Sequence, residues 1–470
     1  MKWVSLLILA PMLTGQLFAD SWRILHNFGD TNGDGYSPGS SLTLDGNTLY
    51  GTTPSGGKGG NGTLFKLNLD GGSFSNLHGF NWSDGANPGA GVVCSDGVLY
   101  GATQSGGDAG NGTVFRVNTD GSGHTVIKSF PALVPEFFGT NSDGGKPRAD
   151  LILDGNTLYG AASTGGAAGN GVVFRINTDG SDFAVLKTFS PTYLGTNNVS
   201  GNFLIHGTNN DGALPIANLT LSGNTLYGTT FYGGYFSNGV IFKIETDGND
   251  FAVLKHFPPL IGGTNTDGAN LRAGLTLSGD TLYGATVNGG NLGSGTLFRM
   301  NTNGTDYVVL KHYYWDDGAF PNTAPIFSGS TLYGIAVAGG TARYGVLFKV
   351  NTNGSHYTVY RNLTQYSYSR LLFNDGTLFG TISSGGSHGR GLVFAFDIPP
   401  DLSDLAVHSN GFAFNVSGVS NQTVVVEASP NLTNASWTPL QTNILSDVPI
   451  AILDSAATNF PSRFYRAHTQ

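Results

Sequence analysis

The 470-residue chain has one cysteine, Cys94, so it has no internal disulfide framework. Cys94 follows Gly91-Val92-Val93 and reads as a small buried thiol. Charge is scarce: charged residues make up 11% of the chain, and 22 Lys and Arg stand against 31 Asp and Glu. The net charge of −9 argues against a nucleic-acid partner. Beyond the N-terminus no apolar run approaches the length that spans a bilayer. Neither a P-loop nor an H-E-x-x-H helix is present, and the histidines are scattered.

Glycine is abundant, with 72 residues, and it disfavours helices by about 1 kcal/mol each against alanine. Aromatics reach 11%, too many for a disordered chain. Lys2, the apolar run Val4 to Leu13 and Leu17-Phe18-Ala19 read as a secretory signal peptide, residues 1–19, and predict an exported protein.

The dominant feature is a repeat. Leu-Tyr-Gly occurs at Leu49, Leu99, Leu158, Leu226, Leu282 and Leu332, and Leu378-Phe379-Gly380 is a seventh copy. Successive spacings are 50, 59, 68, 56, 50 and 46 residues. Each copy predicts four short strands, A to D, with Leu-Tyr-Gly in B and a Gly-Gly loop between B and C. Asp-Gly or Asn-Gly closes the C–D turn, where positive φ is needed, as in Asp120-Gly121 and Asn303-Gly304. One four-stranded meander per repeat is the blade of a β-propeller.

The last copy lacks a fourth strand and runs into Pro399-Pro400. Trp22 to Phe28 resembles the other fourth strands, so the N-terminal strand is expected to close a seven-bladed ring. The expected organisation is therefore all-β: a propeller over 20–398, a linker at 399–401, and a small β-sandwich-like domain over 402–470. Basic residues in every strand D (His26, His78, Lys128, Lys187, Lys255, Lys311, Arg361) read as outward charges that keep outer strands from pairing with other molecules.

The pattern Leu-Tyr-Gly, Gly-Gly, Gly-(Thr/Val)-(Val/Leu)-Phe-(Lys/Arg), Asp-Gly resembles the Gloeo/Verruco (GloVer) tandem repeat of secreted bacterial proteins, over about residues 20–398. The resemblance implies a propeller in an exported or surface protein and brings no catalytic residues. The tail, with Val424-Val425-Val426 and Arg463-Phe464-Tyr465-Arg466, is similar to small C-terminal β-domains of exported proteins from the same bacterial groups.

Alternating strand direction puts the B–C loops and the long D–A connections on one face, where function is expected. Trp82, Tyr232, Tyr235, Trp315, Arg343, Tyr344, His388 and Arg390 lie there, with Phe137, Phe138, Tyr193 and Phe236. Aromatic rings beside polar groups suit a glycan. Trp82 and Trp315 follow strand D at matched positions, which equally suits packing between blades. Asp30, Asn32 and Asp34 match the first half of a calcium loop, but Ser41 stands where the bidentate acid belongs. Asn-x-Asp recurs at Asn141, Asn209 and Asn265, where a turn explains it as well. The function expected is non-enzymatic binding of glycan or protein. A polysaccharide lyase or hydrolase and a structural cell-surface component are the alternatives.

Overall fold

A computed structural model describes residues 21–29, 33–135, 139–193, 207–431, 436–446, 448–460 and 462–469. The signal-peptide reading, Asp30, Asn32, Phe137 and Phe138 lie outside them. Apart from a 3-10 turn at Ala457–Asn459, the named elements are strands. No helix among the described residues is long and apolar enough to cross a membrane.

Seven antiparallel sheets follow one another, each with strand order A-B-C-D. Six have four strands, and the third gains a short extra strand at Gly145–Pro147 beside its strand B. In the seventh sheet, strand D is Trp22–Asn27, paired antiparallel with strand C at Leu392–Asp397. The Trp22 ring stacks on Phe394 with centroids 4.2 Å apart. The ends of the repeat region therefore share one sheet.

Leu-Tyr-Gly encodes the packing between sheets. Adjacent strand residues point to opposite faces. Each Leu, from Leu49 to Leu378, is fully buried against its own sheet's strand C. Each neighbouring Tyr, or Phe379, turns the other way and enters the core of the next sheet. Tyr100 packs with Leu151, Leu158 and Phe174, and Tyr227 packs with Leu275, Leu282 and Phe298. Phe379 packs with Leu42, Leu49 and Phe65 of the first sheet, so the seventh sheet abuts the first.

The Gly leaves room for a ring. It lies opposite the strand-C Phe in every sheet, for example Gly284 opposite Phe298. A Cβ on Gly284 would sit 2.5 Å from that ring's Cζ, and on Gly228 2.4 Å from Phe242.

The tail forms two three-stranded antiparallel sheets: Asp401–His408, Gly411–Ser417 and Ile450–Asp454 in one, and Thr438–Ile444, Thr423–Ser429 and Phe464–Thr469 in the other. They share a core around Phe412, Phe414, Val424 and Val426. Val419 packs into the cluster of Phe396 and Ile398, and Lys349 pairs with Asp401, which ties the tail to the last repeats.

Candidate functional site

The D–A connections and B–C loops are laced together at one end of the sheets. Ala86 bridges Ser105, Ala213 bridges Tyr232, Ala269 bridges Asn288, and Ala319 bridges Ala338. Six connections also reach back to the preceding sheet's B–C loop. Ser37, Asn87, Lys146, Leu214, Asn270 and Phe320 all have φ between 55° and 62°. Their amides donate to the carbonyls of Arg390, Asn61, Asn111, Asn170, Asn238 and Ser294. The bond from Ser37 to Arg390, 2.8 Å, joins the first sheet to the seventh.

The strand-D basic residues are not outward charges, which corrects the expectation from sequence. Each strand D carries one extra residue opposite strand C, a β-bulge such as that between Ile24 and His26. The basic side chain turns into the seam with the next sheet. Lys255 Nζ lies 2.6 Å from Asp267 and 3.9 Å from the centroid of the Tyr307 ring. Lys187 holds Asp211 at 2.6 Å over Phe251, and Lys128 and Lys311 pair with Asp143 and Asp317 over Phe183 and Tyr357. His26 pairs with Asp34 at 3.5 Å and stacks on Phe74. Arg361 lies over Trp22, 4.6 Å from its centroid. These lysines are 15–18% exposed in their side chains, so the seams are cation–carboxylate–aromatic clamps shielded from water.

The clamps assign the Asn-x-Asp pieces. Asp143, Asp211 and Asp267 each hold a lysine, and the Asn141 carboxamide oxygen accepts from Gly144 and Gly166 amides at 2.8 and 3.1 Å. Asp34, buried, also accepts from the Gly29 amide at 3.1 Å. One clamp differs in chemistry: His78 lies 3.2 Å from Asp84 and stacks on His124 with centroids 3.8 Å apart. Burial, then the charge of His78, pushes the His124 imidazole down to about 4.

All seven repeats converge on one cavity of about 140 Å³. It is lined by the residues that lead into each strand A. A small buried residue (Ser40, Ala90, Ala149, Ala217, Ala273, Ala324, Ser369) recurs at each entry. Its neighbours vary from repeat to repeat, and they bring Arg148, Asp150, Asn218, Arg272, Asn322, Tyr368 and Arg370 to the cavity wall.

Asp150 is fully engaged. It pairs with Ser41, accepts from the Gly91 amide at 2.6 Å and receives the Asn218 carboxamide at 2.7 Å. Arg370 Nη2 donates to Thr276 Oγ1 at 3.1 Å, from the seventh repeat to the fifth. Sequence reasoning missed this wall. The available signal was the recurring small residue, with unlike neighbours in each copy.

The sequence-predicted site residues fall into two groups. Trp82 and Trp315 are 58% and 43% exposed, so they do not pack between sheets. With the exposed Tyr235 and Arg343 they sit on separate B–C loops and D–A connections. Tyr232 is half-buried, its ring 4.5 Å from that of Phe231. Tyr344, in contrast, meets Tyr366 at 5.1 Å between ring centroids, and Tyr366 lies 6.5 Å from Tyr368 on the cavity wall. Arg390 lies over Tyr36, 5.5 Å from its centroid. The sixth and seventh repeats thus bring tyrosines from the loops to the cavity.

Gly385-Gly386-Ser387-His388-Gly389 spells G-x-S-x-G, with Ser387 Oγ 3.0 Å from His388 Nδ1. It is a B–C loop and no helix follows, so the strand–turn–helix context of a nucleophile elbow is missing.

Comparison with solved structures gives an oligogalacturonate lyase in complex with manganese at 12% identity, covering 80% of this chain and 93% of that one, with TM-score 0.50. A Mycobacterium tuberculosis puromycin-hydrolyzing peptidase is 11% identical over 82% of this chain and 61% of its own, with TM-score 0.47. TolB from Acinetobacter baumannii is 14% identical over 72% and 68%, with TM-score 0.39. At 12% identity the likeness to the lyase is one of fold alone, and it agrees with the all-β, propeller-like array of four-stranded sheets. No curated protein matches the sequence at a significant level. The Gloeobacter/Verrucomicrobia repeat matches residues 15–136, 133–265 and 259–427, and the chain belongs to that repeat family.

Proposed function

We propose that this chain is an exported seven-bladed β-propeller, closed by its N-terminal strand and followed by a small β-sandwich-like domain, that binds glycan through its loop-rich face without turning it over. The observation that carries the reading is the run of tyrosines, Tyr344, Tyr366 and Tyr368, leading from the B–C loops to the cavity, 38–45% exposed. A run of exposed rings, edge-on and tilted to one another and ending at a polar concavity, suits sugar rings and their hydroxyls. Trp82 and Trp315 extend the apolar contact area on the same face. Among the described residues the one carboxylate on the cavity wall, Asp150, spends its oxygens on Ser41, Gly91 and Asn218, which supports binding over acid–base catalysis.

The test is a glycan-array screen of the chain, with and without chelator, that reads bound and cleaved sugar together. Retention without cleavage is expected. Cleavage would replace binding by a lyase or hydrolase. Silence on every sugar would overturn the glycan reading in favour of a protein ligand or a structural surface role. Loss on chelation would show that binding needs a metal ion and would bring the Asp30, Asn32 and Asp34 segment back as a calcium candidate.

A further inference from the structure

Three guanidinium groups line the cavity, and among the described residues none is paired with a carboxylate at salt-bridge distance, although Asp150 lies near enough to Arg370 to attract it. Arg148 donates from Nε and Nη2 to the Gln104 carboxamide oxygen, at 3.2 and 2.8 Å, once that amide is oriented by its neighbours. Arg272 lies over the Phe231 ring, 5.2 Å from its centroid. Arg370 spends one Nη on Thr276, while its Nε is buried without an acceptor. On the same wall the carboxamide oxygen of Asn322 is buried without a donor.

Burial, with Arg272 as the next cause, draws the Arg148 guanidinium below its usual range, and burial does the same to Arg370 against the opposing pull of Asp150. Like charges brought together in a partly shielded pocket repel one another, and an anion between them removes that repulsion. The chain is acidic overall, so this cationic wall runs against its composition.

We propose that the cavity is a carboxylate-binding site. Arg148 and Arg272 take the anion through paired N–H donors, the geometry that guanidinium and carboxylate share. Arg370 and Asn322 supply further polar groups on the same wall, and Tyr368 packs against the ligand's ring or stem. A cavity of about 140 Å³ suits one acidic group with part of the ring or stem that carries it, rather than a polymer segment. On the glycan reading of the face, that group belongs to a uronic acid within a glycan, and an acidic side chain of a protein is the alternative the test separates. The inference narrows the ligand class of the loop-rich face and rests on that face being the binding face.

The experiment is calorimetric titration of the full chain with methyl β-D-glucuronide, its neutral analogue methyl β-D-glucoside, and N-acetyl-aspartate. The variants are R148Q/R272Q and R148K/R272K, each also measured for thermal stability. A carboxylate probe is expected to bind at least about tenfold tighter than the glucoside. R148Q/R272Q should lose that preference with an unchanged Tm, and the Lys pair should retain part of it.

Preference for glucuronide over N-acetyl-aspartate assigns the acid to a glycan, and the reverse assigns it to a protein. Equal binding of glucoside and glucuronide, binding of no carboxylate, or full preference in R148Q/R272Q would each overturn the proposal. Carboxylate binding in a chain silent on the glycan array would sink the glycan reading alone. Binding of neutral glycans that R148Q/R272Q leaves unchanged would sink this one alone.

Discussion

Between the sheets, the same residue types recur at the same places around the molecule; around the cavity, they do not. Leu, Tyr, Gly and Phe hold their positions because each has one geometric task, and a change at any of them meets a neighbouring sheet. The residues entering strand A share only a small buried side chain, and those flanking it range from glycine to arginine. Repetition marks the positions that build the scaffold. Departure from repetition marks the positions free to specialise.

The comparison can be broken most severely at the seventh sheet. Deleting residues 22–28 removes a strand from that sheet and the Trp22 side of the Arg361 clamp. The expected result is loss of cooperative unfolding, with self-association through the bared edge of Leu392–Asp397, read by calorimetry and light scattering. An unchanged melting curve would refute closure by this strand.

Within the repeated layer, Phe298→Ala should cost about 3–5 kcal/mol, the usual range for a buried ring. Gly284→Ala should cost about 1–3 kcal/mol, because its Cβ would meet that ring. Denaturant titration of the double variant Gly284→Ala/Phe298→Leu should then show strong non-additivity, since removing the ring removes the clash.

The odd clamp sharpens the comparison by its pH dependence. His124 stays neutral in the fold down to about 4, whereas the unfolded chain protonates near the ordinary histidine value of 6.5. A depressed value means stability is full above about 6.5, declines as the pH falls toward about 4, and is flat below. Replacing His124 by Phe, the residue at this place in two neighbouring clamps, should flatten that decline. A pH series of thermal melts for both proteins shows whether the slope persists.

The smallest effect belongs to the loop-rich face. Trp82→Ala and Trp315→Ala should each change stability by less than about 0.5 kcal/mol, as exposed substitutions do. Loss of retention on the glycan array would assign the rings to binding, whereas a large drop in Tm would return them to a packing role.

The contrast also explains what could be read from sequence. Leu-Tyr-Gly, the Asp-Gly turns and the likeness of Trp22–Phe28 to other fourth strands made the sheets and the pairing of the repeat region's two ends legible, because local pattern and long-range packing agree there. The strand-D cations were misjudged because strand alternation predicts a solvent-facing side chain, and the bulge re-aims it into the seam. The Asn-x-Asp pieces suggested a metal because their partners, Lys128, Lys187 and Lys255, lie 12–24 residues away on another element. Arg148, Arg272 and Arg370 passed unnoticed because they lie far apart in sequence, each in a different repeat. They become a group only when sheets three, five and seven meet around one axis.

The pairing of Arg23 with Asp397 spans 374 positions along the chain. Six sheets can assemble from neighbouring segments as each repeat emerges from synthesis, but the seventh must wait for its partner to be made. Until then the first strand has nowhere to dock. The slow, error-prone moment in the life of this protein is therefore the last one, when the ends of the repeat region find each other.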